Sequence, residues 1–229
     1  MMMSPSVLFT QSLYQEEKEI LSSHDINFFE VPMIQTHLVD FVWPDEQVDY
    51  LLLTSQNAVA SLLNHPRKSE TKHIPVFCVG RKTREQLEVA GWKVIRYADY
   101  ASALIESFDL LKNKTILFLA GNLRGEELEE YLLKEGIRLQ VQVVYKTQLT
   151  PRYIEEEYGV VVFFSPSAVL SFAEYNSLQD QWVFCIGRKT ASALSQNRKI
   201  FLPAFPSRKG TILLCVEKLK QRRRPKENA

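Results

Sequence analysis

The sequence has no apolar run long enough to cross a bilayer; the longest, at residues 115–120 and 160–164, have the length of buried strands. Cysteine is scarce. Three residues, an odd number, do not make a disulfide framework, and Cys78 and Cys185 lie inside apolar runs, where each reads as a small buried side chain. The histidines, His24, His37, His65 and His73, are scattered without metal-ligand spacing or paired cysteines, so no metal site is expected. G-x-G-x-x-G, G-x-x-x-x-G-K-[ST] and G-x-S-x-G are all missing, which argues against a dinucleotide site, a P-loop nucleotide site and a hydrolase nucleophile elbow. Charge of one sign is not in excess either. With 28 basic and 27 acidic side chains the net charge is +1, and the overall field gives no reason to expect nucleic acid. Residues 1–12 lack the basic start, apolar segment and cleavage pattern of a secretory signal, so a cytoplasmic protein without membrane contact is expected. The one concentrated basic run, residues 218–226, reads as a solvated end of the chain, with a partner contact as the alternative.

What the sequence does have is a stretch that occurs twice. Residues 76–87 read VFCVGRKTREQL and residues 183–194 read VFCIGRKTASAL, the second starting 107 positions after the first (183 against 76). Each is an apolar run ending at a glycine, followed by two cations and a threonine that open a helical pattern. A second pair, residues 50–59 and 160–169, repeats with an offset of 110 (165 against 55), and the strand–turn–helix pattern from Lys114 copies the first thirty-odd residues in kind. A repeat of that length is a domain duplication and not a solenoid. Within each copy strands and helices alternate, and the strands are near-continuous apolar runs. The fold class expected is therefore α/β, with two similar three-layer domains whose parallel sheets carry helices on both faces. A length of 229 residues with 45% hydrophobic content supplies the core for both.

In open α/β sheets ligands bind beyond the carboxyl ends of the strands. Five strand-to-helix turns belong on that edge: residues 54–57, 80–83, 121–124, 165–167 and 187–190. Helix N-termini attract anions, and Arg81, Lys82, Arg124, Arg188 and Lys189 place full positive charges beside them. Ser55, Ser165, Thr83 and Thr190 are equally good helix caps, and a helix needs a cap with or without a ligand. Tyr145, in the extended residues 143–147, is half exposed by strand alternation; it is either a plain strand tyrosine or a phenol able to share a proton with a leaving hydroxyl.

The ordered series YLLLTSQNAV at residues 50–59, VGRKT at 79–83, LFLAGNLR at 117–124, VYKT at 144–147, FFSPSAV at 163–169 and IGRKTA at 186–191 resembles the uroporphyrinogen-III synthase family over nearly the whole chain. The resemblance implies two α/β domains joined by two extended linkers, at about residues 30–36 and 142–147, with the active cleft between them. One domain would comprise residues 1–34 and 148–229, the other residues 35–147. It implies a cofactor-independent lyase: hydroxymethylbilane loses its terminal hydroxyl, the azafulvene cation is attacked at the substituted carbon of the last pyrrole, and a spiro intermediate breaks and recloses with that ring inverted. Tyr145 falls on the family tyrosine that assists hydroxyl departure. Ser55, Thr83, Ser165, Ser167 and Thr190 fall on positions that face substrate, and Gln56, Asn57, Arg81, Lys82, Asn122, Arg124, Arg188 and Lys189 complete the candidate binding set. The tetrapyrrole is the one partner expected, the protein being a monomer. The chain departs from the family after its first strand, where Gln11 and Ser12 stand in place of the arginine and proline many members carry; Arg81 and Lys82 are candidates to replace that cation. The rival reading is a non-catalytic module that binds a tetrapyrrole or another polycarboxylate.

Overall fold

The computed structural model describes residues 6–105, 108, 111–194 and 199–223. In chain order the elements are β1 (Val7–Phe9), α1 (Gln15–Ser22), β2 (Phe28–Glu30), β3 (Ile34–Leu38), β4 (Tyr50–Leu53), α2 (Gln56–Asn64), β5 (Val76–Val79), α3 (Arg81–Val89), β6 (Val94–Ala98) and α4 (Ala101–Ile105). They continue with β7 (Thr115–Gly121), α5 (Glu127–Lys134), β8 (Arg138–Leu149), β9 (Val160–Phe163), α6 (Pro166–Ala173), β10 (Trp182–Cys185), α7 (Arg188–Ser192), β11 (Ile200–Phe201) and α8 (Arg208–Arg223). The helical pattern read over residues 101–111 begins as α4, and residues 106, 107, 109 and 110 lie outside the described residues, as do residues 224–226 of the basic run. Contacts divide the chain into two compact units, one of Met1–Gln35 with Gln148–Ala229 and one of Thr36–Thr147.

The first unit has the sheet order β2-β1-β9-β10-β11, every pair parallel. Alternate residues of these strands face opposite ways into two cores. Val7, Phe9, Val160, Val162 and Phe184 meet α1 and α8 through Leu21, Ile212, Cys215 and Leu219, while Leu8, Val161, Phe163, Val183 and Cys185 meet α6 through Ala168, Val169 and Phe172. The second unit runs β8-β7-β4-β5-β6 in parallel, with β3 beside β8. Its two cores are built in the same way: Leu51, Leu53, Cys78 and Leu119 against α2 and α3, and Leu52, Phe77, Ile116 and Phe118 against α4 and α5.

The repeated segments occupy equivalent strands, β5 with β10 and β4 with β9, and β7 then corresponds to β1. The spatial order is therefore the same in both sheets while the chain order is permuted: one unit starts with the β1–β2 pair, the other ends with its counterpart β7–β8. In each sheet the order reverses beside one strand pair, β1 and β9 in the first unit, β7 and β4 in the second. A crevice outside the carboxyl ends opens at such a reversal.

The two glycines of the repeated turn differ in backbone. Gly80 has φ +92° and ψ 135°, a region open in practice only to glycine, whereas Gly187 has φ −175°, which is extended backbone. Among the described residues, a β-carbon at 187 would touch only Pro206, at 3.6 Å. Gly80→Ala is expected to cost about 2 kcal/mol of unfolding free energy and Gly187→Ala less than about 0.5 kcal/mol, as read by chemical denaturation. Equal costs would show that the two copies are not strained differently.

Two carboxylates tie strands to the segments beside them. Asp49 accepts from Thr115 N–H at 2.8 Å and from Lys114 at 3.2 Å; the backbone bond first, and Lys114 with it, hold its carboxyl below the usual aspartate value of 3.8 against the opposing effect of burial. At Glu30 burial acts to raise the value, but the ion pair with Lys18 at 2.6 Å and the Leu13 N–H outweigh it, leaving the carboxyl below 4.5. Both groups are depressed in the folded state, so the stability they contribute is present above the unfolded values and lost as pH falls through the folded ones. Wild-type protein is therefore expected to lose stability below about pH 4, and the Glu30→Gln/Asp49→Asn variant to lose less of it, when urea midpoints at pH 7 and pH 3 are compared. Parallel pH dependence in the two proteins would remove both groups from the account.

Candidate functional site

At the reversal of the second unit stand the turns after β4 and β7. Ser55 caps α2, its hydroxyl accepting from Asn57 N–H at 3.1 Å; Gln56 and Asn57 are exposed, and Gln56 Oε1 is 3.4 Å from Gln86 Nε2. On the other strand, Gly121 ends β7 opposite Tyr145 on β8. The register slips between Ala120 and Gly121: Ala120 pairs with Val143, Gly121 with Tyr145, and Val144 is the extra residue of a bulge. Strict alternation would send Val144 and Tyr145 to opposite faces. The bulge instead lets the buried Val144 and the half-buried Tyr145 pack against the same core cluster. Bulges re-aim side chains in this way. The Tyr145 hydroxyl has no hydrogen-bond partner among the described residues.

Asn122 extends the β7–β8 pairing beyond the last ladder residue. Its side chain accepts from Thr147 N–H at 2.7 Å and donates to Thr147 C=O at 3.1 Å, and its backbone N–H donates to Tyr145 C=O at 3.3 Å. Both ends of the amide are thus spent on β8, just beyond Tyr145. Arg124 is also committed: it forms a two-point ion pair with Glu129, and Nη1 donates to Gly121 C=O at 3.3 Å. As placed, these two residues brace the turn more than they offer free donors.

At the reversal of the first unit, Thr10 Oγ1 donates to Val162 C=O at 2.8 Å and locks β1 to β9. Ser165 caps α6, accepting from Ala168 N–H at 3.2 Å, and accepts a second bond from Gln11 Nε2 at 3.0 Å. Its two lone pairs are then occupied, so its own proton is directed to Ser167 Oγ, 3.0 Å away. That leaves the Ser167 proton free to donate outward. Ser165 is the structural member of the pair and Ser167 the one able to meet a ligand.

Gln11 is held in turn by Arg208, from the start of α8. Arg208 Nη1 donates to Gln11 Oε1 at 3.1 Å, Nη2 donates to Ser12 C=O at 2.7 Å, and Nε and Nη2 bind the Glu17 carboxylate at 2.9 and 2.8 Å. The guanidinium lies over Phe164, 4.1 Å from the ring centre. Within this unit the cation beside the first strand's turn is thus Arg208; Arg81 and Lys82 belong to the other unit. Sequence reasoning missed it: the only local signal is Pro206–Ser207 ahead of a helix.

In the repeated turn, Thr83 and Thr190 are not caps. The capping positions are Gly80 and Gly187, and each threonine sits in the first turn of its helix, buried at 4% and 2% exposure. Arg81, Lys82, Arg188 and Lys189 lie on those first turns, Arg81 reaching Glu85 at 3.5 Å. Cations at the positive end of a helix dipole are unfavourable by themselves. Cys78, Cys185 and Cys215 are buried, and burial pushes each thiol up to about 12, so none is a nucleophile at neutral pH. No helix among the described residues is long and apolar enough to cross a membrane.

A family model described as uroporphyrinogen-III synthase HemD matches residues 15–199. A search of curated protein sequences finds no match. Among solved structures the fold is similar to uroporphyrinogen-III synthetase of Helicobacter pylori 26695, with 21% identity, a TM-score of 0.69 and coverage of 93% of this chain and 99% of that one. It is also similar to a mutant uroporphyrinogen III synthase of the extremely thermophilic bacterium Thermus thermophilus, with 17% identity, a TM-score of 0.70 and coverage of 95% and 99%.

Proposed function

The chain belongs to the uroporphyrinogen-III synthase family, and from that membership we propose that it closes hydroxymethylbilane to uroporphyrinogen III, with loss of water and inversion of the last pyrrole ring, on the route to haem. The observation that carries the reading is the family match over residues 15–199, which spans both units. The enzyme is a cofactor-independent lyase, and its substrate a tetrapyrrole bearing carboxylates on every ring.

The chemistry suits the residues. Departure of the terminal hydroxyl breaks a C–O bond while the pyrrole nitrogen's electron pair moves in to form the azafulvene cation, and the leaving oxygen needs a proton to go as water. The Tyr145 phenol, half buried and unpartnered among the described residues, is the donor. The later steps make and break carbon–carbon bonds within one bound molecule, which depends on holding the two ends of the chain together. Carboxylates distributed around the substrate call for distributed donors. Ser167 with its free proton, Ser55 and Asn57 at the start of α2, and Arg81, Lys82 and Arg188 on first helical turns supply them. A bound carboxylate also offsets the unfavourable placement of those cations. The three unpaired, buried cysteines fit a reducing compartment, which supports a cytoplasmic location.

The test uses the isomers. Hydroxymethylbilane closes by itself to the type I product, so freshly generated substrate is incubated with the protein and the products are resolved. Type III product is expected; type I alone from folded protein would leave a binding module as the better reading.

A further inference from the structure

Among the described residues, the glycines held at positive φ are Gly80, Gly91 and Gly136. Gly121 is not one of them, so backbone conformation does not call for glycine there. The reason lies across the strand pair. A β-carbon on residue 121 would stand 2.4 Å from Tyr145 Cζ, 2.5 Å from Cε2 and 2.7 Å from the hydroxyl oxygen. Carbon atoms in ordinary contact are about 3.5–4.0 Å apart, so that space is already filled. All three nearest atoms belong to the outer end of a single phenol.

We infer that Gly121 is a positioning residue for Tyr145: its missing side chain sets where the phenolic hydroxyl stands, and any larger residue displaces that hydroxyl without unmaking the strand. The inference rests on the reading of Tyr145 as the proton donor. Three features make the side chain, and not the backbone, the part that yields. Gly121 is paired in register with residue 145, the Asn122 N–H donates to the Tyr145 carbonyl, and the Asn122 amide holds Thr147 at both its N–H and C=O. The phenol has two soft torsions and no hydrogen bond to a described residue to restrain its tip. Moving it from 2.4 Å to ordinary contact shifts the ring by about 1 Å, and a displacement of that size takes a proton donor out of its working range and costs about 100-fold in rate.

The experiment places Gly121→Ala in the wild-type, Tyr145→Phe and Tyr145→Ala backgrounds. In the wild type, kcat for type III product is expected to fall about 100-fold with KM within about twofold; in the Tyr145→Phe background, where the hydroxyl is already gone, the further loss is expected to stay within about twofold. Melting temperatures form a second cycle that needs no turnover. Gly121→Ala should lower Tm by about 5 °C when Tyr145 is present and not when it is replaced by alanine. An undiminished kcat, or a further tenfold loss in the Tyr145→Phe background, overturns the positioning role. Equal melting losses in both backgrounds overturn the contact itself. Wild-type protein that yields only the type I isomer overturns the functional reading instead, and the melting cycle still reports on the contact.

Discussion

Tyr145→Phe is expected to lower kcat about 100-fold and to leave KM within about twofold. The change removes one oxygen and keeps the ring, which packs against the core beside the fully buried Val144, so the melting temperature should hardly move. The expected size follows from the role. A positioned acid that protonates a leaving group contributes about 10²–10⁴, and the low end applies because the leaving hydroxyl is also pushed out by the pyrrole nitrogen. Steady-state rates of type III formation at saturating substrate give the value. A rise in KM equal to the fall in kcat/KM would make Tyr145 a binding residue, and an unchanged kcat would remove it from the mechanism.

The sheets were open to sequence reasoning because parallel strands buried on both faces are continuous apolar runs: residues 115–120 and 160–164 predict β7 and β9, and the repeated VFC predicts β5 and β10. Two of the four caps were readable as well. Ser55 and Ser165 start their helices at a position where a side-chain oxygen satisfies one of the first free amides. Thr83 and Thr190 failed for a local reason: their helices open two residues earlier, at Arg81 and Arg188, directly after a glycine, and the threonine is carried inside the first turn and buried there. Strand periodicity gave Tyr145 its half exposure but not its face. A bulge adds one residue to one strand only, and nothing in the alternation of residues 138–149 marks where it falls. The repeat offsets likewise carry no strand order, so the permuted relation of the two sheets is seen in the strand pairing and not in the repeats.

Arg208 was the residue least open to prediction, since it meets Gln11 across 197 positions of sequence, and its removal is the stability change with the largest expected cost. Arg208→Met keeps an apolar stem over Phe164 and Tyr14 but leaves the Glu17 carboxylate, 3% exposed, with the Tyr14 N–H at 3.0 Å as its remaining partner among the described residues. An uncompensated buried charge of this kind costs about 3 kcal/mol. Glu17→Gln should cost less, about 1–2 kcal/mol, because the guanidinium keeps Gln11, the Ser12 carbonyl and its rings, and is itself 16% exposed. Replacing both residues together, Glu17 with leucine and Arg208 with methionine, should recover much of the loss, since a buried ion pair has little net advantage over a well-packed apolar pair. The effect reaches the site through one amide. Arg208 donates to Gln11 Oε1 and so turns Nε2 toward Ser165, which directs the Ser165 proton to Ser167. The double replacement is therefore expected to restore stability without restoring KM, because the bond that orients Gln11 is still missing. Denaturation midpoints and KM measured on the same three proteins separate the two consequences; recovery of both would mean that Arg208 supports the fold and has no hand in orienting the serine pair.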